Sequence, residues 1–179
     1  ENILIICAET YSRWIDWSHR NSIFFGDGSA SVIIQRGKSG WYYGDIFADG
    51  KGKENFTINH GDTMFTMNGK EVYRVGTKVL PQSIENVLKK IDMNINEIDY
   101  FIPHQPSHRI LFKTAEKIGL STDKIMMNMN KRANTAGASI PTVLSDVVSK
   151  NILKNGDKIL FAAVGSGWTW GSGVMSWEN

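Results

Sequence analysis

Sulfur chemistry is nearly absent from this chain: Cys7 is its one cysteine, which excludes an intrachain disulfide. No apolar run approaches the roughly 20 residues a bilayer-spanning helix needs. No leader pattern opens the sequence, which starts ENILIICAET with an acidic residue. An excess of either charge is also missing. Twenty basic side chains face 18 acidic ones, a net charge of +2, so nothing global directs the chain to nucleic acid and any basic patch must be local. Metal-ligand spacing is lacking too. His104 and His108 stand four apart, but Pro106 lies between them, and neither an HExxH glutamate nor a third ligand accompanies them. No metal, membrane or nucleic-acid partner is expected, and a cytoplasmic protein is the simplest reading. The sequence also begins with Glu1 rather than Met, directly inside an apolar run, which reads as a piece of a longer protein.

What is present suffices for one domain with a real core, or one and a half small ones: 179 residues, 41% of them hydrophobic. ILIICA (3–8) and SVIIQ (31–35) read as buried strands, with a tight bend at Gly26-Asp27-Gly28. Residues 36–56 are glycine-rich, with strand-like aromatic pieces and a long loop. Val72, Val75, Val79, Ile84, Val87 and Leu88 carry helix spacing over 71–90, with Pro81 as a kink or break. A strand, DYFIP (99–103), leads to a helix over 107–120 whose apolar face is Ile110, Leu111, Ala115 and Ile118 and whose stop is Gly119. KIMMNM reads as a short strand. SIPTVLSDVVSKNILKNG reads as a helix with Pro141 in its first turn and Gly156 past its end. KILFAAVG and GVMSW are strands flanking GSGWTWGSG.

Strands alternating with helices predict an α/β domain. Two strand–glycine–strand units recur: ILIICAE with GDGSASVII, and ILFAAVG with WGSGVMSW. The second is preceded by a full set of helices and strands and the first by nothing. Internal similarity of this kind implies a duplicated fold, with one complete half and the tail of another.

Three segments carry candidate chemistry. His104 follows a strand where the chain turns into a helix, the kind of position where reactive groups collect in α/β folds; packing under the helix is the alternative. In KRANTAGASIP, Asn134 offers a donor and an acceptor that do not titrate, and Ser139 reads as the cap of the next helix. Gly165-Ser166-Gly167 can present bare backbone N–H groups, as an oxyanion hole requires, or can simply be a turn between strands.

Taken together, FFGDGSAS, MNGKEVY, FIPHQPSHRI, NTAGASIP and GSGWTWGSG resemble, in order and spacing, the C-terminal half of the ketoacyl-acyl carrier protein synthase III family. The resemblance implies a thiolase-like fold, a layered α/β structure with a mixed sheet. Residues 1–36 would be the last strands of the N-terminal half and 37–179 the C-terminal half. It implies an acyltransferase that starts fatty acid biosynthesis by a decarboxylative Claisen condensation of acyl-CoA with malonyl-acyl carrier protein. No cofactor is implied, acyl-CoA being a substrate, and a homodimer is. His104 and Asn134 would donate hydrogen bonds to the malonyl thioester carbonyl. The backbone N–H of Ser166 would bind the acyl oxyanion, at a position where the family commonly has glycine. Arg109, Lys113 and Lys117, one helix face at i, i+4 and i+8, would help dock the acidic carrier protein or form a solvated face. The nucleophilic cysteine belongs to the first half, at the start of a buried helix. Cys7 therefore reads as a packed core residue, and the chain alone is expected to be inactive. A non-catalytic thiolase-fold subunit of a heterodimer and a secondary-metabolite condensing enzyme remain as alternatives.

Overall fold

A computed structural model describes residues 2–35, 37, 39–58 and 62–178. Strands β1 (Asn2–Glu9) and β2 (Gly28–Gln35) pair antiparallel along their whole lengths, from Asn2 opposite Gln35 to Glu9 opposite Gly28, and form a sheet of their own. β3 (Tyr42–Ala48) opens a second sheet. Two short strands, β4 (Phe56–Thr57) and β5 (Thr66–Met67), pair beside it. Helix α1 (Gly69–Lys90), strand β6 (Tyr100–Phe101), helix α2 (His108–Ile118), the one-turn helix α3 (Met129–Arg132) and helix α4 (Ser139–Ser149) follow, then β7 (Lys158–Gly165) and β8 (Thr169–Ser176). The second sheet runs β3-β8-β7-β6. Its β6–β7 pair is parallel and the other two are antiparallel, so the sheet is mixed.

β7 explains how this sheet is covered. Successive strand side chains point to opposite faces. Leu160, Ala162 and Val164 join a core with Leu80, Ile84 and Val87 of α1 and Leu111 of α2. Ile159 joins Ile102, Val143, Val147 and Leu153 on the other face, where α4 lies. Helix α4 also touches β2. The order of layers is therefore α1 and α2, the four-stranded sheet, α4, and the two-stranded sheet. The two strand–glycine–strand units both appear as antiparallel pairs of eight-residue strands.

Helix α2 forms where its sequence signals place it. Ser107 caps it by accepting from the Ile110 N–H, and Gly119 ends it in the left-handed region at φ 70°. Elsewhere the structure corrects the reading. β1 and β2 are not buried: Ile3, Leu4, Ile6 and Ile33 are 59%, 58%, 67% and 70% exposed. Their apolar character is the kind that other layers normally cover; among the described residues α4 and the turn before it contact this sheet, and these side chains stay exposed. KIMMNM forms no strand; Ile125 makes a single bridge to Phe101 and the chain turns into α3. α4 stops at Ser149, with Asn151 at φ 53°, while Gly156 serves a later turn at φ 90°.

Pro81 does not break α1, which is helical on both sides of it. A proline inside a helix leaves the carbonyl four residues earlier without its N–H donor. That carbonyl belongs to Thr77, and Lys117 Nζ donates to it at 2.8 Å.

Gly26 and Gly28 are not needed for a bend, since neither has a positive φ. They are needed for closeness: a Cβ on Gly26 would overlap the Arg132 carbonyl oxygen, and one on Gly28 would lie 2.9 Å from Thr135 Cγ2. Gly26→Ala is expected to lower stability by about 1–3 kcal/mol, the usual cost of overpacking. Urea denaturation monitored by circular dichroism checks this; an unchanged midpoint would show that the Arg132 backbone moves away freely.

Candidate active site

His104 sits just beyond β6, where the extended chain keeps pairing with β7. The Ile102 N–H donates to Leu160 O and the His104 N–H to Ala162 O, both at 2.8 Å. The histidine is thus fixed by its backbone at the end of the strand that borders β7, ahead of α2. Asn134 is fixed from another direction. Its N–H donates to Phe24 O at 2.8 Å, and its carbonyl accepts from the Gly26 N–H at 3.0 Å. This tie, seated against the close-packed Gly26, brings the segment before α4 to the segment before β2.

The side chains follow from those anchors. Asn134 Oδ1 accepts from the Ala136 N–H at 2.9 Å, which settles the orientation of the amide and leaves the Nδ2 donors without a protein acceptor among the described residues. The intervening loop is strained, with Ala133 at φ 55° and Ala136 at φ 42°. Its far side is held by Glu9 at the end of β1, whose Oε1 accepts from the Gly137 N–H at 3.2 Å. His104 Nδ1 lies 2.8 Å from Ser139 Oγ. Ser139 is therefore not the cap that its position suggests: the N-cap residue of α4 is Ala138, which makes no capping bond.

A cleft of ≈ 1490 Å³ collects these groups. His104, Asn134, Ser139, Gly165, Ser166 and Glu9 all line it. One wall is aromatic, because Tyr11, Phe25 and Phe56 also line it: Tyr11 stacks on Phe25 and Phe56 on Phe65, while Phe25 meets Phe56 at a tilt and Phe65 edge-on. The imidazole of His104 is half-buried, and desolvation lowers its pKa from 6.5 to about 4, against a smaller opposing effect of a hydrogen bond with the Ala136 backbone. At neutral pH the ring carries no charge. Tyr11, on the same wall, has its pKa raised, mainly by burial and then by the Glu9 carboxylate.

The other sequence candidates are placed unevenly. Arg109 lines the cleft. Lys113 pairs with Glu116 at 2.7 Å, and Lys117 is held by Thr77. Cys7 is half-buried on β1 and lies beside Gly137 rather than among the cleft-lining residues. Glu9 and the Ser139–His104 bond carried no signal in the sequence. Both are contacts between residues far apart in the chain, or between groups with an equally good local role.

The chain spans 59% of the length of the curated relatives it matches. Among them, the beta-ketoacyl-[acyl-carrier-protein] synthase III of Rickettsia bellii is 39% identical over 99% of this chain, and that of Clostridium acetobutylicum is 36% identical over 98%. The family model for the 3-oxoacyl-[acyl-carrier-protein] synthase III C terminal matches residues 88–177, half of the chain, and the companion model for 3-oxoacyl-[acyl-carrier-protein] synthase III matches residues 1–50. The chain belongs to the 3-oxoacyl-[acyl-carrier-protein] synthase III family. The crystal structure of the Aquifex aeolicus synthase III superposes with a TM-score of 0.94 at 31% identity, covering 98% of this chain and 58% of that one. The fold of the synthase III family, thiolase-like, is thus the fold here. Xanthomonas campestris OleA shares it, with a TM-score of 0.85 at 19% identity over 98% of this chain and 57% of its own. At that identity the likeness speaks for the fold alone.

Proposed function

We propose that this chain supplies the decarboxylating side of a synthase III active site. Residues 1–36 then close the first thiolase-like half, and 37–179 form the second. A cysteine outside residues 1–179 takes an acyl group from acyl-CoA as a thioester. Malonyl-acyl carrier protein binds in the cleft and loses carbon dioxide. The resulting enolate carbon attacks the acyl carbonyl, and the cysteine thiolate leaves. Asn134 donates from Nδ2 to the malonyl thioester oxygen where negative charge develops, with His104 beside it; the Ser166 N–H serves the acyl oxyanion. The reaction uses no cofactor, and the enzyme works as a cytoplasmic homodimer at the start of fatty acid biosynthesis.

One observation carries this reading. Asn134 and His104, from segments 30 residues apart in sequence, line a single cleft, with the amide turned so that its donors are unoccupied. Preorganised donors of this kind are typically worth about 3 kcal/mol each in the transition state.

The protein that carries this sequence, given acyl-CoA and malonyl-acyl carrier protein, is expected to release CoA and carbon dioxide and to form 3-oxoacyl-carrier protein, read by mass spectrometry. Absence of condensation with any short acyl-CoA overturns the reading. Residues 1–179 alone are expected to give none, and stoichiometric acylation of Cys7 would show that the nucleophile has been misplaced. Arg109→Glu is expected to raise the KM for malonyl-carrier protein several-fold more than that for malonyl-CoA, with the difference shrinking at high salt. A salt-independent loss would mean local misfolding instead of lost steering.

A further inference from the structure

The end of the two-stranded sheet grips the loop that carries Asn134 at three points. Gly26 lies against the Arg132 carbonyl and Gly28 against Thr135, each too close for a Cβ of its own. Gly28 pairs with Glu9, the last residue of β1. The Glu9 carboxylate makes the third contact, Oε1 accepting from the Gly137 N–H at 3.2 Å. A Cβ on Gly137 would come within 2.9 Å of that same oxygen, so the glycine leaves room for the carboxylate. The loop needs holding. Ala133 and Ala136 have φ of 55° and 42°, and non-glycine residues keep such backbone only where their surroundings over-determine it. The Ala136 N–H is the donor that orients Asn134, through Oδ1 at 2.9 Å. Two successive N–H groups are therefore spoken for, one by the Asn134 amide and the next by Glu9.

We propose that Glu9 is a positioning residue for decarboxylation: its carboxylate, reaching from β1, holds the 133–137 loop so that the Nδ2 donors of Asn134 stay turned to the cleft. This rests on the reading of the cleft as a synthase III site and adds to it a side chain that acts through Asn134. Glu9 works as an acceptor and not as a charge. Its charge does reach the cleft wall, where it adds to the larger effect of burial in raising the Tyr11 pKa, so the two properties must be separated. Glutamine at position 9 removes the charge and keeps an acceptor; alanine removes both. The bond to Gly137 is open to solvent, so its loss should slow the reaction without abolishing it.

The test compares Glu9→Ala, Glu9→Gln and Gly137→Ala in the protein that carries this sequence. Glu9→Ala is expected to lower the kcat of malonyl decarboxylation about fivefold, with acyl transfer to the thiol and the KM for acyl-CoA within about twofold of the parent. Glu9→Gln restores the parent rate. Gly137→Ala crowds the carboxylate off its N–H while leaving Glu9 in place, and is expected to fall with Glu9→Ala; it decides the matter should Glu9→Ala fail to fold. Failure of Glu9→Gln to rescue would make charge the active property, and equal loss in both half-reactions would make Glu9 a general support of the fold. Either result overturns the proposal. Hydrogen–deuterium exchange of the Ala136 amide, read by NMR, needs no turnover and is expected to be about tenfold faster in Glu9→Ala than in the parent or in Glu9→Gln. Unchanged exchange at Ala136 overturns the latch. If the parent condenses nothing, the functional reading falls, and faster exchange at Ala136 still establishes the hold on Asn134.

Discussion

Asn134→Asp is expected to slow malonyl decarboxylation by about 10²–10³-fold, the usual loss when one preorganised oxyanion donor is removed. Aspartate is more informative here than alanine. Asn134 Oδ1 accepts from the Ala136 N–H, and that bond helps hold a loop with two non-glycine residues at positive φ. An Asp carboxylate keeps the acceptor, so the loop stays, and only the NH₂ donors disappear. It also places negative charge where the enolate must form, which adds to the loss. Transfer of the acyl group from acyl-CoA to the thiol does not use Asn134 and should continue at a rate within a few-fold of the parent. The two half-reactions are separable with radiolabelled acyl-CoA in one assay and labelled malonyl-carrier protein in the other. Equal loss in both would show that Asn134 shapes the whole cleft and does not act on one oxyanion.

The second large effect concerns the two-stranded sheet. The 179-residue chain by itself is expected to self-associate at tens of micromolar and to bind a hydrophobic dye strongly. Among the described residues no further strand pairs with β1 or β2, and apolar side chains stand exposed on both faces. Leu4, Ile6 and Ile33 lie on one face, and Ile3 and Ile34 on the other. Open edges beside such surface template pairing with further strands. The double variant Ile6→Lys, Ile33→Lys places two charges on the outer face and should return the chain to a monomer by light scattering, with its helix content unchanged. A parent chain that is already monodisperse at high concentration would mean that this sheet is stable uncovered.

Much of the architecture was legible because its causes are local. Ser107 and Gly119 bracket α2 by capping chemistry that acts within four residues, and KILFAAVG reads as the strand it forms. The grouping of His104, Asn134 and Ser166 became legible through the order of motifs, not from any one of them. What escaped was set by distant partners. ILIICA reads as buried because its composition suits a covered strand, yet coverage depends on segments that composition does not report. Ser139 occupies a position where a cap is usual, and its actual partner lies 35 residues away. Gly26 and Gly28, at the entry to β2, looked like bend residues because glycine serves bends and close contacts alike, and only the positions of Arg132 and Thr135 decide between them.

Lys117 illustrates how a flaw in one element becomes a fastening for another. Proline leaves α1 with one carbonyl that its own backbone cannot use, and α2 supplies the missing proton from a flexible four-carbon arm. The bond is specific in a way that apolar packing is not, because it fixes how far α2 can slide or roll along its neighbour. His104 lies four residues before the start of α2, so the alignment of the strand end with that helix is referenced to α1. A side chain that sequence would assign to attracting a partner from solvent also keeps the scaffold behind the cleft in register.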